Sequence, residues 1–239
     1  MNWLEPLLCA VCVLGLGMIA RVYVVYRSVR EFDSRDKRNL LSDTLPIELI
    51  DSFLDDNEIT RLKQLALPKL KASRVLMSGG RPSGKNAVRT SSTAFLLGFN
   101  LDPIATVVKR KVAILVGVPV SHVENIQVVR YTAGQYYGPH LDAMNLEKFP
   151  QEAKKGQRVA TVLVYLNDIV NGSGKTVFPK IGVEVTPERG KALYFRNALA
   201  DGSVDERSLH EGSPVLGEGI EKWAVNVWVR DRPLPLTHR

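Results

Sequence analysis

The sequence predicts an α+β domain, a sheet sandwich or jelly roll with helices packed outside it. Two observations lead there. Helical patterns are confined to the first half, and the second half holds short runs rich in Val, Tyr, Phe and Trp, broken by Gly, Asn, Asp and Pro. A third concerns size. The 239 residues, 45% hydrophobic and 24% charged, suit one domain plus an N-terminal appendage, enough to bury a core without disulfides.

In chain order, Leu7 to Ala20 is a continuous apolar run that resumes after Arg21 as Val22 to Tyr26. It is long enough to span a bilayer, and Arg21 could snorkel to the headgroups. No small-x-small cleavage site follows it, so residues 1–26 read as an uncleaved membrane anchor or signal segment. Residues 27–44 are polar and read as a stem, and residues 45–239 as the globular domain. Asp55-Asp56-Asn57-Glu58 caps a helix carrying Ile59, Leu62 and Leu65, which Pro68 closes. Ser78 to Lys85 is a Gly/Pro/Ser loop. Asp102-Pro103 opens a second helix with an apolar face of Ile104, Val107, Val108, Ala113 and Ile114, and Gly117 ends it. Residues 125–131, 159–166, 191–195 and 223–229 read as strands.

Charge and thiols exclude more than they select. A formal charge of +7 suits acidic partners. The basic residues are scattered among acids, however, and no nucleic-acid module accompanies them, so nucleic acid is not an expected partner. Both cysteines, Cys9 and Cys12, lie in the apolar run without a completing pair or histidine, which argues against zinc.

Of four histidines, His140 belongs to a His-x-Asp pair with Asp142. At a strand end alternate residues project to one side, so both can approach one metal. His210, from a distant strand, would complete two imidazoles and one carboxylate, the set associated with non-haem Fe(II) oxygenases. Gly172-Ser-Gly-Lys-Thr176 is not a phosphate loop, because Ile169 stands where the first glycine should be.

The surroundings of this pair resemble the prolyl 4-hydroxylase family. Gln127, Tyr131, Gly134, Gln135 and Tyr137 lead to His140 and Asp142 in the family's order. Arg158 to Asp168 is similar to its next strand, and Gly174-Lys-Thr176-Val-Phe-Pro179 to its following turn. Ser208-Leu-His210 to Pro214 resembles its distal histidine segment, and Lys222-Trp223 with Trp228 its last strand. The resemblance covers residues 45–230 and is to the short plant, algal and large-DNA-virus members. It implies a double-stranded β-helix core, Fe(II) on His140, Asp142 and His210, and 2-oxoglutarate as co-substrate with L-ascorbate as reductant. Lys222 would take the distal carboxylate of 2-oxoglutarate, with Tyr131 and Thr176 as hydrogen-bond partners. Tyr137, Arg158 and Trp228 would line a groove for a proline-rich peptide, and the 78–85 loop resembles a lid over it.

Two positions depart from the family pattern. Lys222 stands twelve residues after His210, two more than usual, and a turn at 217–221 would absorb the difference. Lys175 replaces the usual Glu. The family implies a lumenal domain at the endoplasmic reticulum membrane, whereas the basic flank after the apolar run favours the cytosol. The lumen is the favoured placement. Two rival functions fit less well. An AlkB-like nucleic-acid demethylase would carry arginines soon after the distal histidine, yet the next one after His210 is Arg230. A non-catalytic membrane-tethered peptide-binding module would normally have lost a ligand or the lysine, and all four are present.

Overall fold

The computed structural model describes Tyr23, Phe32 and residues 38–73, 88–97 and 102–235. The expected anchor (apart from Tyr23) and the 78–85 loop lie outside these residues. No helix among the described residues is long and apolar enough to cross a membrane.

The chain begins with β1 (Arg38–Ser42) and β2 (Ile47–Ile50), followed by α1 (Asp56–Ala66). The short β3 (Lys71–Ala72) and β4 (Ser92–Leu96) precede α2 (Ile104–Val116). Then come β5 (Ile126–Tyr131), β6 (Tyr137–His140), the single-turn α3 (Pro150–Ala153) and β7 (Arg158–Tyr165). The last strands are β8 (Thr176–Phe178), β9 (Val183–Val185), β10 (Ala192–Arg196), β11 (His210–Gly212) and β12 (Lys222–Arg230). Among the described residues they form two sheets, ordered β1-β2-β10-β7-β12-β5-β4-β3 and β6-β11-β8-β9, with every pairing antiparallel. This is the expected jelly roll. Residues 38–42, assigned from sequence to the stem, pair with β2 at the edge of the larger sheet.

The central strands of the larger sheet are buried on both faces because they alternate between two apolar layers. On β7, Ala160, Val162 and Val164 meet the helices, while Leu163 and Tyr165 face the smaller sheet. On β12, Trp223, Val225, Val227 and Val229 meet the helices and Ala224 faces the other way. Helices α1 and α2 supply Ile59, Leu62, Ile104, Val108 and Val112 to the outer layer.

Each helix starts for a local reason. Asp55 accepts from the Glu58 amide at 2.8 Å while Glu58 accepts from the Asp55 amide at 3.0 Å, a reciprocal capping box. Asp102 accepts from the Ile104 amide at 2.9 Å, so it caps α2 from one position before Pro103. Gly117, at φ +77°, adopts the left-handed conformation that ends α2. The apolar face of α2 differs from the sequence reading at one place: Ile114 is half exposed, and Val112 and Leu115 are buried instead. Buried Lys111 also lies in this helix, paired with Glu58 at 2.7 Å.

Candidate active site

Between the two sheets lies a cavity of about 330 Å³, lined by His140, Asp142, His210, Lys222, Tyr131 and Thr176 together with Tyr137, Arg158 and Trp228. All nine residues singled out from the sequence therefore meet around one space. Register explains the convergence. His210 on β11 sits directly opposite His140 on β6, and Lys222 on β12 directly opposite Tyr131 on β5. Trp228 falls on the same face of β12 as Lys222, six residues on, and lines the cavity.

His140, Asp142 and His210 offer ligand atoms that all lie within 4.8 Å of one another. Each imidazole is held by a backbone carbonyl: His140 Nδ1 is 2.9 Å from Gly138 O, and His210 Nδ1 is 2.9 Å from Ser208 O. A carbonyl can only accept, so Nδ1 carries a proton in each ring, and Nε2 is the nitrogen that faces Asp142, at 3.9 Å for His140 and 3.7 Å for His210. Burial, reinforced by His210, lowers His140 to about 3, which keeps it in the neutral form a metal requires. Burial alone would raise Asp142, but His210 and His140, with Arg158 and a Thr161 hydrogen bond, bring it down to about 2. Two imidazoles and one carboxylate, converging with Asp142 and His210 buried and His140 partly buried, fit Fe(II).

Next to this triad, Lys222 is buried and donates to Gly174 O at 2.6 Å, with the Tyr131 and Tyr165 rings 5.8 and 5.6 Å away. Burial lowers its pKa to about 7 and is the cause of the shift. A buried ammonium without a carboxylate partner is costly, and an anionic co-substrate would relieve that cost. The cavity thus fits 2-oxoglutarate at Lys222. Tyr165, which the sequence reading missed, donates its hydroxyl to Thr176 Oγ1 at 2.9 Å. The alternation Thr161, Leu163, Tyr165 along β7 was the signal that could have found it. Gly174 is needed as glycine: its φ is +63°, and a Cβ there would come within 2.9 Å of Ile169.

The two departures from the family pattern find physical answers. The extra residues before Lys222 form a turn in which Gly217 and Gly219 take φ of +99° and +73°. Lys175 turns to the exposed partner Glu184 at 2.7 Å and does not line the cavity.

At the cavity mouth, Tyr137 stacks on His140 with ring centroids 3.6 Å apart, and the Arg89 guanidinium lies 4.6 Å from the Tyr137 ring. Arg89 was not singled out from the sequence. It is held by Ser91 Oγ at 3.1 Å and Gln127 Oε1 at 3.0 Å. Arg158 lies 3.9 Å over the Trp228 ring and makes a bidentate pair with Glu124 at 2.7 and 3.0 Å. Among the described residues the buried Trp228 Nε1 has no hydrogen-bond partner.

A jelly roll with this facial triad and a buried lysine defines a non-haem Fe(II) and 2-oxoglutarate oxygenase. The sequence pattern of the 2OG-Fe(II) oxygenase superfamily matches residues 126–230. The chain is 37% identical over 204 residues to prolyl 4-hydroxylase 1 of Arabidopsis thaliana, covering 78% of this chain and 69% of that protein. It is 34% identical over 185 residues to the prolyl 4-hydroxylase subunit alpha-1 of Homo sapiens, of which it spans 33%. A viral collagen prolyl hydroxylase from Paramecium bursaria Chlorella virus-1, solved as its 2OG complex, superimposes with a TM-score of 0.60 at 26% identity, covering 77% of this chain and 94% of that one. The chain belongs to the prolyl 4-hydroxylase family of 2-oxoglutarate- and Fe(II)-dependent dioxygenases. Its cofactors are accordingly Fe(II) and 2-oxoglutarate.

Proposed function

We propose that this protein hydroxylates C4 of proline in proline-rich peptides, using O2 and 2-oxoglutarate and releasing succinate and CO2. The observation that carries the reading is the facing pair His140 and His210 beside Asp142, with Lys222 in the same cavity. When bound, Fe(II) with 2-oxoglutarate supplies the oxidising power that activates an unreactive C–H bond.

In this reading the chain does the positioning. His140, Asp142 and His210 would hold the metal. Lys222 takes the distal carboxylate of 2-oxoglutarate, and Thr176 and Tyr131 donate or relay hydrogen bonds around it. Tyr137, Arg158 and Trp228 form the groove for an extended peptide, whose proline rings suit aromatic walls. Asp142 and His210 are buried and His140 partly so, which would limit water at the site. L-Ascorbate would restore iron oxidised in turnovers without peptide. A procollagen-type substrate is the finer form of the proposal, supported by the names of the relatives. An anchor at residues 1–26 placing the domain in the lumen of the endoplasmic reticulum rests on the apolar run and on the family resemblance. Protease protection in sealed microsomes tests that placement: digestion of the domain without detergent would contradict it.

The test is succinate release from 2-oxoglutarate by the full chain with Fe(II) and ascorbate, with and without a proline-rich peptide. Peptide-stimulated release, one oxygen added to proline, and loss of both in His140→Ala are expected. Turnover that no peptide stimulates would overturn the peptide substrate.

A further inference from the structure

Asp142 receives a hydrogen bond that neither the motif nor the family pattern announced. Thr161 Oγ1 lies 2.6 Å from Asp142 Oδ2, and Asn197 Nδ2 lies 2.8 Å from the same Thr161 oxygen. The directions are fixed by chemistry. An ionised carboxylate can only accept, so the Thr161 hydroxyl must donate to Asp142. Its oxygen is then free only to accept, which requires the amide nitrogen of Asn197 to face it. Burial is complete: Thr161 is 2% exposed and Asn197 0%. Both side chains are shielded from solvent, and a hydrogen bond to an ionised acceptor is among the stronger kinds.

We propose that the chain Asn197–Thr161–Asp142 is a positioning device for the metal centre, selecting which carboxylate oxygen the metal receives. Thr161 engages Oδ2, which also lies 3.7 Å from His210 Nε2, and so leaves Oδ1, 3.9 Å from His140 Nε2, as the oxygen it does not occupy. The same asparagine is tied to the second arm of the site. Its backbone oxygen accepts from the Asp205 amide at 3.0 Å, Asp205 O accepts from Ser208 Oγ at 2.7 Å, and Ser208 O accepts from His210 Nδ1 at 2.9 Å. Asn197 therefore joins the orientation of Asp142 to the orientation of His210. Its backbone amide in turn donates to Val159 O at 2.9 Å, which fixes the asparagine to β7, the strand that carries Thr161. Partners of metal ligands set ligand orientation and basicity, and their loss typically weakens metal binding roughly 10–100-fold.

The proposal rests on the metal reading of His140, Asp142 and His210, and the test separates the two. Co(II) affinity of the full chain is measured by titration calorimetry, a readout independent of turnover, alongside the thermal midpoint of each metal-free variant. Thr161→Val keeps the shape and removes the hydroxyl; roughly 10–100-fold weaker Co(II) binding is expected. Thr161→Ser restores the hydroxyl and should recover most of the affinity. Asn197→Asp replaces the donor by an acceptor of the same shape, so Thr161 must divide its single proton between two carboxylates, and affinity should again fall. Should Thr161→Val not fold, Asn197→Asp carries the same prediction. Wild-type affinity in the folded Val and Asp variants would overturn the proposal, as would equal losses in Thr161→Val and Thr161→Ser. Wild-type affinity in His140→Ala would overturn the metal reading itself, and the proposal with it.

Discussion

Lys222 is the residue whose environment makes the sharpest statement about pH. Burial lowers its pKa to about 7, so in the co-substrate-free protein it carries charge below that pH and loses it above. A dicarboxylate pairs with the ammonium form. Below about pH 7 that form is ready; above it, each binding event must also take up a proton. The KM for 2-oxoglutarate is therefore expected to rise as pH climbs above 7, by up to about tenfold per unit. Initial rates of succinate release from pH 6 to 8.5 measure this, and a KM flat across the range would sink it. Lys222→Met should raise that KM strongly and remove its pH dependence. Trp228 makes a second case. Its Nε1 is buried without a partner among the described residues while its ring carries the Arg158 guanidinium. Trp228→Phe keeps an aromatic face and deletes the donor, so the KM for peptide should rise roughly 3–10-fold, the worth of one hydrogen bond, with the KM for 2-oxoglutarate unchanged. An unchanged peptide KM would make the tryptophan a wall only. These residues were legible in the sequence because motifs mark them. Thr161, Asn197 and Glu124 were not, because a single polar residue inside or beside an apolar run shows its purpose only when strand register brings it to a partner.

Among elements, α1 shows how one glutamate can serve two ends. Glu58 completes the capping box with Asp55, and its carboxylate is also 2.7 Å from the buried ammonium of Lys111, which donates further to Phe53 O at 3.2 Å. The two contributions differ in size. Asp55→Ala removes only the cap and should cost about 1 kcal/mol in urea unfolding. Glu58→Ala also strands a buried charge and should cost roughly 3–5 kcal/mol. Equal costs would show that Lys111 finds other relief. The contrast also explains what could be read in advance. The cap of α1, the end of α2 at Gly117 and the four long strands were visible from residue type and period. The strands of the smaller sheet were not, since β8, β9 and β11 have three residues each and owe their form to pairing, not to propensity. The burial of Lys109 and Lys111 was hidden for a related reason: a lysine reads as solvent-facing until a neighbouring element covers it.

At the scale of the whole molecule, the cavity wall at Arg158 is connected to the end of β12 by a chain of partly buried charges. Arg158, in the cavity wall, pairs with Glu124; Glu124 also accepts from Arg230 Nε at 2.5 Å; and Arg230 reaches Glu152 on α3 at 2.7 Å and Gly156 O at 2.6 Å. The Arg230 side chain is fully enclosed. This chain fastens the segment between Asp142 and Arg158, whose Met144 and Phe149 line the cavity, onto β12. Both acids are held below the usual carboxylate range. Burial alone would raise each, but Arg158 and Arg230 lower Glu124, and Lys155 and Arg230 lower Glu152. A carboxylate with a depressed folded pKa contributes stability above its unfolded pKa, about 4.3, and loses it as pH falls through the folded value. Arg230→Met removes the shared cation and so should remove part of both depressions. At pH 7 the variant should be less stable by roughly 2–4 kcal/mol, because two half-buried acids lose an enclosed partner. As pH falls below about 4.3 the wild type loses that advantage while the variant has less to lose, so the two stabilities should converge. Thermal midpoints of both proteins between pH 7 and pH 3 provide the measurement. A gap that stays constant across that range would mean that Arg230 acts through packing alone and that the charge chain does not hold the cavity wall in place.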